Sequence, residues 1–164
     1  MNWRKRRTLR RGPLSRPDPS QIAVLVLDDE PGVRMVLASS LATEGYSVCL
    51  ADGNNVVDAL DAREYDLVIS DLRMPGTDGL HALAMAKEKS PKAKLIVITG
   101  YPSQESLESC RAFGVARYLV KPFAIGEIRQ VARNVLRGKN SGQEALVSNG
   151  DYQCSNLPQN ARAV

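Results

Sequence analysis

The sequence predicts an α/β fold built on an open, doubly wound parallel sheet, and three observations carry that prediction. Five apolar runs of strand length alternate with segments of helical period. The runs are apolar at nearly every position, which implies burial on both faces, as parallel strands covered by helices require. The five βα units are joined by short connections and fall well short of the length an eightfold barrel needs, so right-handed crossovers leave an open sheet with helices on both sides.

The elements follow in order. IAVLVLD at residues 22–28 is the first strand, and a helix over 31–44 starts at Pro31, a favoured first position, and stops at Gly45. YSVCLA at 46–51 is the second strand, followed by a helix over 54–63. YDLVISD at 65–71 is the third, followed by a helix over 79–89 that ends before Pro91. AKLIVIT at 93–99 is the fourth, and Ser103 is a natural N-cap for a helix over 103–113 closed by Gly114. ARYLV at 116–120 is the fifth, and the last helix, over 124–137, stops at Gly138 and shows Ile125, Ile128, Ala132 and Val135 as a core stripe.

The 164 residues hold one ordinary domain with tails, and 43% hydrophobic with 24% charged residues suits a packed globular protein. No apolar run nears the roughly 18 residues of a membrane span. Cys49, Cys110 and Cys154 form no CxxC pair and are odd in number, which argues against a disulfide framework or a zinc site and for a reducing, cytoplasmic setting. A single histidine, His81, excludes the His-based metal centres. The formal charge of +4 is uneven: residues 1–21 carry +6, residues 22–137 carry −2 and the remainder is neutral. The first 21 residues, with Pro13, Pro17 and Pro19 and no apolar period, are expected to form a disordered basic arm. Such an arm either solubilises the chain or attracts nucleic acid or lipid headgroups through clustered arginine. Residues 138–164, rich in Gly, Asn, Ser and Gln, are expected to be a disordered polar tail.

In doubly wound sheets ligands bind beyond the carboxyl ends of the strands, near the point where the strand order reverses. The first strand ends in Asp28, Asp29 and Glu30, the third in Asp71, the fourth in Thr99, and the fifth runs into Lys121 and Pro122. Carboxylates about 4 Å apart at an effective dielectric near 20 repel by about 4 kcal/mol per pair, so something positive must sit among them. A hard divalent cation such as Mg²⁺ suits one or two carboxylates, a backbone carbonyl and waters, and Lys121 adds a further charge. A carboxylate beside such an ion, a hydroxyl and a lysine is equipped to accept a phosphoryl group, because its transferring oxygens are neutralised. Asp71, alone at the end of the central strand, is the best nucleophile; Asp28 and Asp29, adjacent in sequence, are better placed as metal ligands. There is no GxGxxG, and Gly138 and Lys139 lack the earlier glycine of a phosphate-binding loop.

VLVLDDEPGVR, YDLVISDLRMPGTDGL, LIVITGY and RYLVKPF, in this order and spacing, resemble the receiver domain of two-component response regulators over residues 22–137. The resemblance implies a flavodoxin-like three-layer sandwich with a five-stranded sheet in the order 2-1-3-4-5. It implies that Asp71 is the phosphoacceptor and that Mg²⁺ is held by Asp29, Asp71 and the Arg73 backbone carbonyl, with Asp28 acting mainly through water. Thr99 and Lys121 would contact the phosphoryl group, the Lys121–Pro122 bond would be cis, and Thr99 with Tyr118 would form the switch. The donor would be a histidine kinase or histidine phosphotransfer protein, and the surface of the fourth helix, fifth strand and fifth helix would meet a downstream protein. By the same resemblance Arg73 and Tyr101 flank the path of the water that hydrolyses the acyl phosphate. Cys49 and Cys110 would lie toward opposite ends of the sheet and stay unpaired, and His81 would be a surface residue. The chain would catalyse only its own phosphorylation and dephosphorylation. Two other readings are a nucleic-acid-binding module that uses the basic arm under receiver control and an Asp-nucleophile phosphohydrolase; neither DDEPG nor DLRMP fits the DxDxT pattern of the latter.

Overall fold

The computed structural model describes residues 20–138 and 147–148, so the basic stretch at 1–19, most of the polar tail and Cys154 lie outside the described residues. The elements run β1 (Ala23–Leu27), α1 (Pro31–Ala42), β2 (Ser47–Ala51), α2 (Val56–Ala62) and β3 (Leu67–Asp71). A short antiparallel hairpin follows, β4 (Arg73–Met74) and β5 (Thr77–Asp78), and then α3 (Gly79–Lys89), β6 (Lys94–Thr99), α4 (Gln104–Ala112), β7 (Arg117–Val120), α5 (Ile125–Leu136) and β8 (Val147–Ser148).

The main sheet is parallel throughout, in the order β2-β1-β3-β6-β7-β8. Its first five members are the five expected strands in the order 2-1-3-4-5. The sixth differs from the sequence reading: Val147 pairs with Tyr118 and Ser148 with Leu119, so a fragment of the presumed tail lies along β7. Two residues are too few to show a period, which is why this strand has no sequence signal.

The apolar runs work as expected because successive strand side chains point to opposite faces. Val24, Val26, Leu67, Ile69, Ile96, Ile98 and Leu119 meet Leu37 and Leu41 of α1 and Ile128, Val131, Ala132 and Val135 of α5. Leu25, Leu27, Val68, Leu95, Val97 and Tyr118 face the other way, into a core shared with Leu60, Leu83, Leu107 and Cys110 of α2, α3 and α4. At about 1.5–3 kcal/mol for each fully buried large aliphatic side chain, these two layers dominate the folding free energy. β2, paired only with β1, is less covered than the other long strands. The α5 stripe is shifted from its expected membership. Ile125, in the first turn, is 40% exposed, and Val131 takes the buried place beside Ile128, Ala132 and Val135. Gly45 and Gly114 adopt left-handed φ of 81° and 71° just past their helices, where a side chain would be strained. Ser103 and Ser106 form a reciprocal capping box at the start of α4.

Candidate functional site

The chain leaves β1 toward β2 and returns on the other side to β3, so the order reverses between β1 and β3. Their register, with Leu27 opposite Ser70, carries both strands directly into Asp28 and Asp71 at the same edge. The turn after β3 is held close by Gly79. A Cβ there would lie 2.2 Å from the Asp71 carbonyl oxygen and 2.5 Å from the Leu72 Cα, so only glycine lets α3 start this near the nucleophile candidate.

Both buried aspartates are organised in the same way. Asp28 Oδ1 accepts the Glu30 amide at 2.9 Å, and Asp71 Oδ1 accepts the Arg73 amide at 3.0 Å. The second oxygen of each accepts from one ammonium, Lys121 Nζ at 2.9 Å from Asp28 and 2.8 Å from Asp71. Glu30 Oε1 lies 3.2 Å from the same nitrogen. Lys121 arrives there from the end of β7, and its bond to Pro122 is cis.

Burial raises the Asp28 pKa above the ordinary carboxylate range; the Glu30 amide and Lys121 work against that shift without cancelling it. For Lys121, burial opposes the ammonium, yet the bonds to Asp71 and Asp28 outweigh it and hold the pKa above the usual lysine value. One lysine serves a crowd of carboxylates. Asp28, Asp29 and Asp71 bring one oxygen each within 4.8 Å of one another, with Asp29 the accessible member. An all-oxygen donor set with excess negative charge fits a hard divalent cation and not a soft one. Asp29 also borders an open cleft with Leu72, Arg73, Met74, Pro75, Thr77 and Asp78, which leaves room for retained waters.

The remaining expected residues surround this centre. Thr99, fully buried at the end of β6, accepts the Tyr101 amide on Oγ1 at 3.1 Å. The Arg73 guanidinium stacks over the Tyr101 ring at 4.9 Å from its centroid, while Tyr101 itself is 67% exposed. Tyr118 is 1% exposed, and its hydroxyl lies 2.8 Å from Ser106 Oγ in the α4 capping box. His81 is exposed on α3, and Cys49 and Cys110 are free thiols on different elements. Sequence reasoning assigned no role to three residues that touch the expected ones. Glu30 was legible as the third acid of DDE, and Ser106 as the partner of an S-x-x-S cap. Arg34, whose Nη1 donates to the Asp28 carbonyl, closes the VLVLDDEPGVR stretch, but nothing in the spacing gave it a role.

Comparison with known proteins shows the family. The response regulator receiver domain family matches residues 24–133. The chain is 37% identical over 103 residues to the DNA-binding transcriptional regulator NtrC of Klebsiella pneumoniae, covering 62% of this chain and 22% of NtrC. It is 29% identical over 119 residues to sporulation initiation phosphotransferase F of Bacillus subtilis, covering 72% of this chain and 96% of that one. The crystal structure of the signal receiver domain of an HD domain-containing protein from Pseudomonas fluorescens superposes with a TM-score of 0.67 at 28% identity, over 74% of this chain and 98% of that one. With the acidic edge, the lysine and the fold all in agreement, the chain belongs to the family of response regulator receiver domains, the phosphorylatable modules of two-component signalling.

Proposed function

We propose that this receiver, spanning residues 22–137, takes a phosphoryl group on Asp71 from the phosphohistidine of a histidine kinase or histidine phosphotransfer protein in the cytoplasm. The observation that carries the reading is Lys121 bound at once to Asp28 and Asp71, beside a third carboxylate that leaves the cluster short of positive charge. In the transfer a carboxylate oxygen of Asp71 forms the new P–O bond as the donor's P–N bond breaks, and the electron pair of that bond returns to the imidazole. Lys121 then exchanges its bond to Asp71 for one to a phosphoryl oxygen, and Thr99 supplies a hydroxyl donor to another. Asp28, Asp29, Asp71 and the Arg73 carbonyl would hold Mg²⁺, which supplies charge neutralisation for the phosphoryl oxygens when bound. The chain's own catalysis extends only to gaining and losing this group.

The output runs through Thr99 and Tyr118. When Thr99 is drawn to the phosphoryl group, the packing around Tyr118 changes, and the face made by α4, β7 and α5 changes its preference for a downstream protein. Two or three charge-assisted hydrogen bonds at about 1.5–3 kcal/mol each reach the roughly 5.5 kcal/mol that inverts a 1:99 population. Incubation with acetyl phosphate and Mg²⁺ tests the reading. Wild type should gain one phosphoryl group that base or hydroxylamine removes and Asp71→Asn, still folded, none; labelling of Asp71→Asn at the wild-type rate would remove Asp71 from the reaction.

A further inference from the structure

The cation site assigned under the proposed function has two halves on different strands, and the inference below rests on that assignment. Asp28 and Asp29 belong to the end of β1, whereas the Arg73 carbonyl belongs to the β4–β5 hairpin. Between them lies the open cleft bordered by Asp29, Arg73, Pro75 and Thr77. Arg73 and Asp78 pair across the base of the hairpin, and Met74 pairs with Thr77 near its tip. Strand pairing as short as this does not hold a hairpin in place by itself.

The turn that follows β2 spans the gap. From the hairpin, Thr77 Oγ1 donates to the Gly53 carbonyl at 2.9 Å. The contact is close on both sides: a Cβ at Gly53 would fall 2.9 Å from the Pro75 carbonyl oxygen and 2.9 Å from Thr77 Oγ1, so the hairpin tip is seated directly on the Gly53 backbone. From the other side, Arg34 of α1 donates to the Asp28 carbonyl through Nη1 and reaches Asp52 Oδ2 with Nη2 at 3.8 Å. The turn carries two side-chain bonds of its own, since Asp52 Oδ1 accepts the Asn54 amide and Asn55 Oδ1 accepts the Asp52 amide, at 2.9 and 2.8 Å. A continuous chain of contacts therefore runs from the Asp28 backbone through Arg34, Asp52 and Gly53 to Thr77 and the hairpin.

We infer that Arg34 and Thr77 are positioning residues for the cation, the two ends of one brace that sets the span between the Asp29 carboxylate and the Arg73 carbonyl. Neither side chain belongs to the proposed ligand set. A hard ion that tolerates little distortion of its oxygen shell feels that span directly, and outer partners of metal ligands commonly govern affinity in this way. Thr77 acts through its hydroxyl and Arg34 through its fork. Thr77→Ser keeps the hydroxyl donor, whereas Thr77→Val keeps the shape and loses it.

The test is Mg²⁺ titration of the full chain followed by amide NMR shifts, with wild type, Thr77→Val, Thr77→Ser, Arg34→Met, the Arg34→Met/Thr77→Val double variant and Asp29→Asn. Thr77→Val and Arg34→Met should each weaken Mg²⁺ binding by about tenfold, the lower end for loss of an outer-shell partner. Thr77→Ser should bind as wild type does, which a general loss of stability would not produce. The double variant should bind no more weakly than the weaker single variant, because cutting one brace twice costs little more than cutting it once. Wild-type affinity in Thr77→Val, or losses that multiply in the double variant, would overturn the brace. If wild type and Asp29→Asn respond to Mg²⁺ alike, the cation site itself is refuted and the brace with it.

Discussion

The two sides of the acidic edge are built differently. On one side Asp28 and Asp71 are buried and both bonded to the half-buried Lys121 at 2.8–2.9 Å, each carboxylate also held by a backbone amide. On the other side Asp29 is accessible, Arg73 and Tyr101 stack at the surface, and the cleft beside them is open. The contrast teaches a division of labour. The buried side fixes the nucleophile and carries the electrostatic cost of the metal-free state, so its variants should act on stability and pH dependence. The open side admits cation, donor and water, so its variants should act on affinity and lifetime.

The largest effect on the buried side is expected from Lys121→Met, which leaves Asp28 and Asp71 facing each other without their shared cation. Removing one partner of a buried ion pair costs about 3 kcal/mol or more, and urea denaturation in EDTA should show a loss of that order. Mg²⁺ should recover most of it, since a divalent ion supplies the missing charge. Equal losses with and without Mg²⁺ would place the defect in packing instead. The Lys121 pKa is raised, so its contribution is fully present below the unfolded value of 10.5 and is lost only as pH climbs through the higher folded value.

A kinetic effect on the open side comes next. Arg73 and Tyr101 stack on each other, and by the receiver resemblance they would flank the path of the attacking water, so Arg73→Ala with Tyr101→Ala should shorten the phospho-Asp71 lifetime several-fold. Loss of acyl phosphate after removal of the donor measures it. A lifetime that is unchanged or longer would show that the pair does not shield Asp71, or that Arg73 stabilises the hydrolytic transition state.

The smallest effect returns to the buried side. Because the Asp28 pKa is raised in the fold, the native protein holds that proton to higher pH than the unfolded chain, whose reference value is 3.8. The contribution of Asp28 to metal-free stability therefore falls as pH rises from that value through the folded pKa. Asp28→Asn removes this dependence, so the advantage of the variant over wild type in EDTA should grow between pH 4 and pH 7 and shrink when Mg²⁺ is added. An advantage that stays constant over that range would deny the burial penalty.

How much of this was legible in the sequence depends on how far each interaction reaches. Asp28, Asp71, Thr99 and Lys121 each end an apolar run, and a parallel sheet delivers the ends of its strands to one edge, so their meeting follows from pattern and topology together. The β4–β5 hairpin and β8 are two residues per strand, too short for any period to appear, and the hairpin turns on Gly76 at a φ of 77°. Arg34 to Asp28, Thr77 to Gly53 and Ser106 to Tyr118 are contacts between separate parts of the chain, whose approach is fixed by tertiary packing and leaves no trace in spacing. Ile125 was assigned to the core because helical period alone does not say where a helix first meets the sheet; its first turn precedes that contact.

The central claim is that Asp71 is the residue that carries the phosphoryl group. The most direct measurement is mass spectrometry of peptides from the wild-type chain after treatment with acetyl phosphate and Mg²⁺, digested at acidic pH to limit hydrolysis of the acyl phosphate. The account predicts that the mass of one phosphoryl group appears on the peptide containing Asp71 and is abolished when EDTA replaces Mg²⁺. A phosphoryl group found instead on a peptide without Asp71, or one that forms equally well in EDTA, would contradict it.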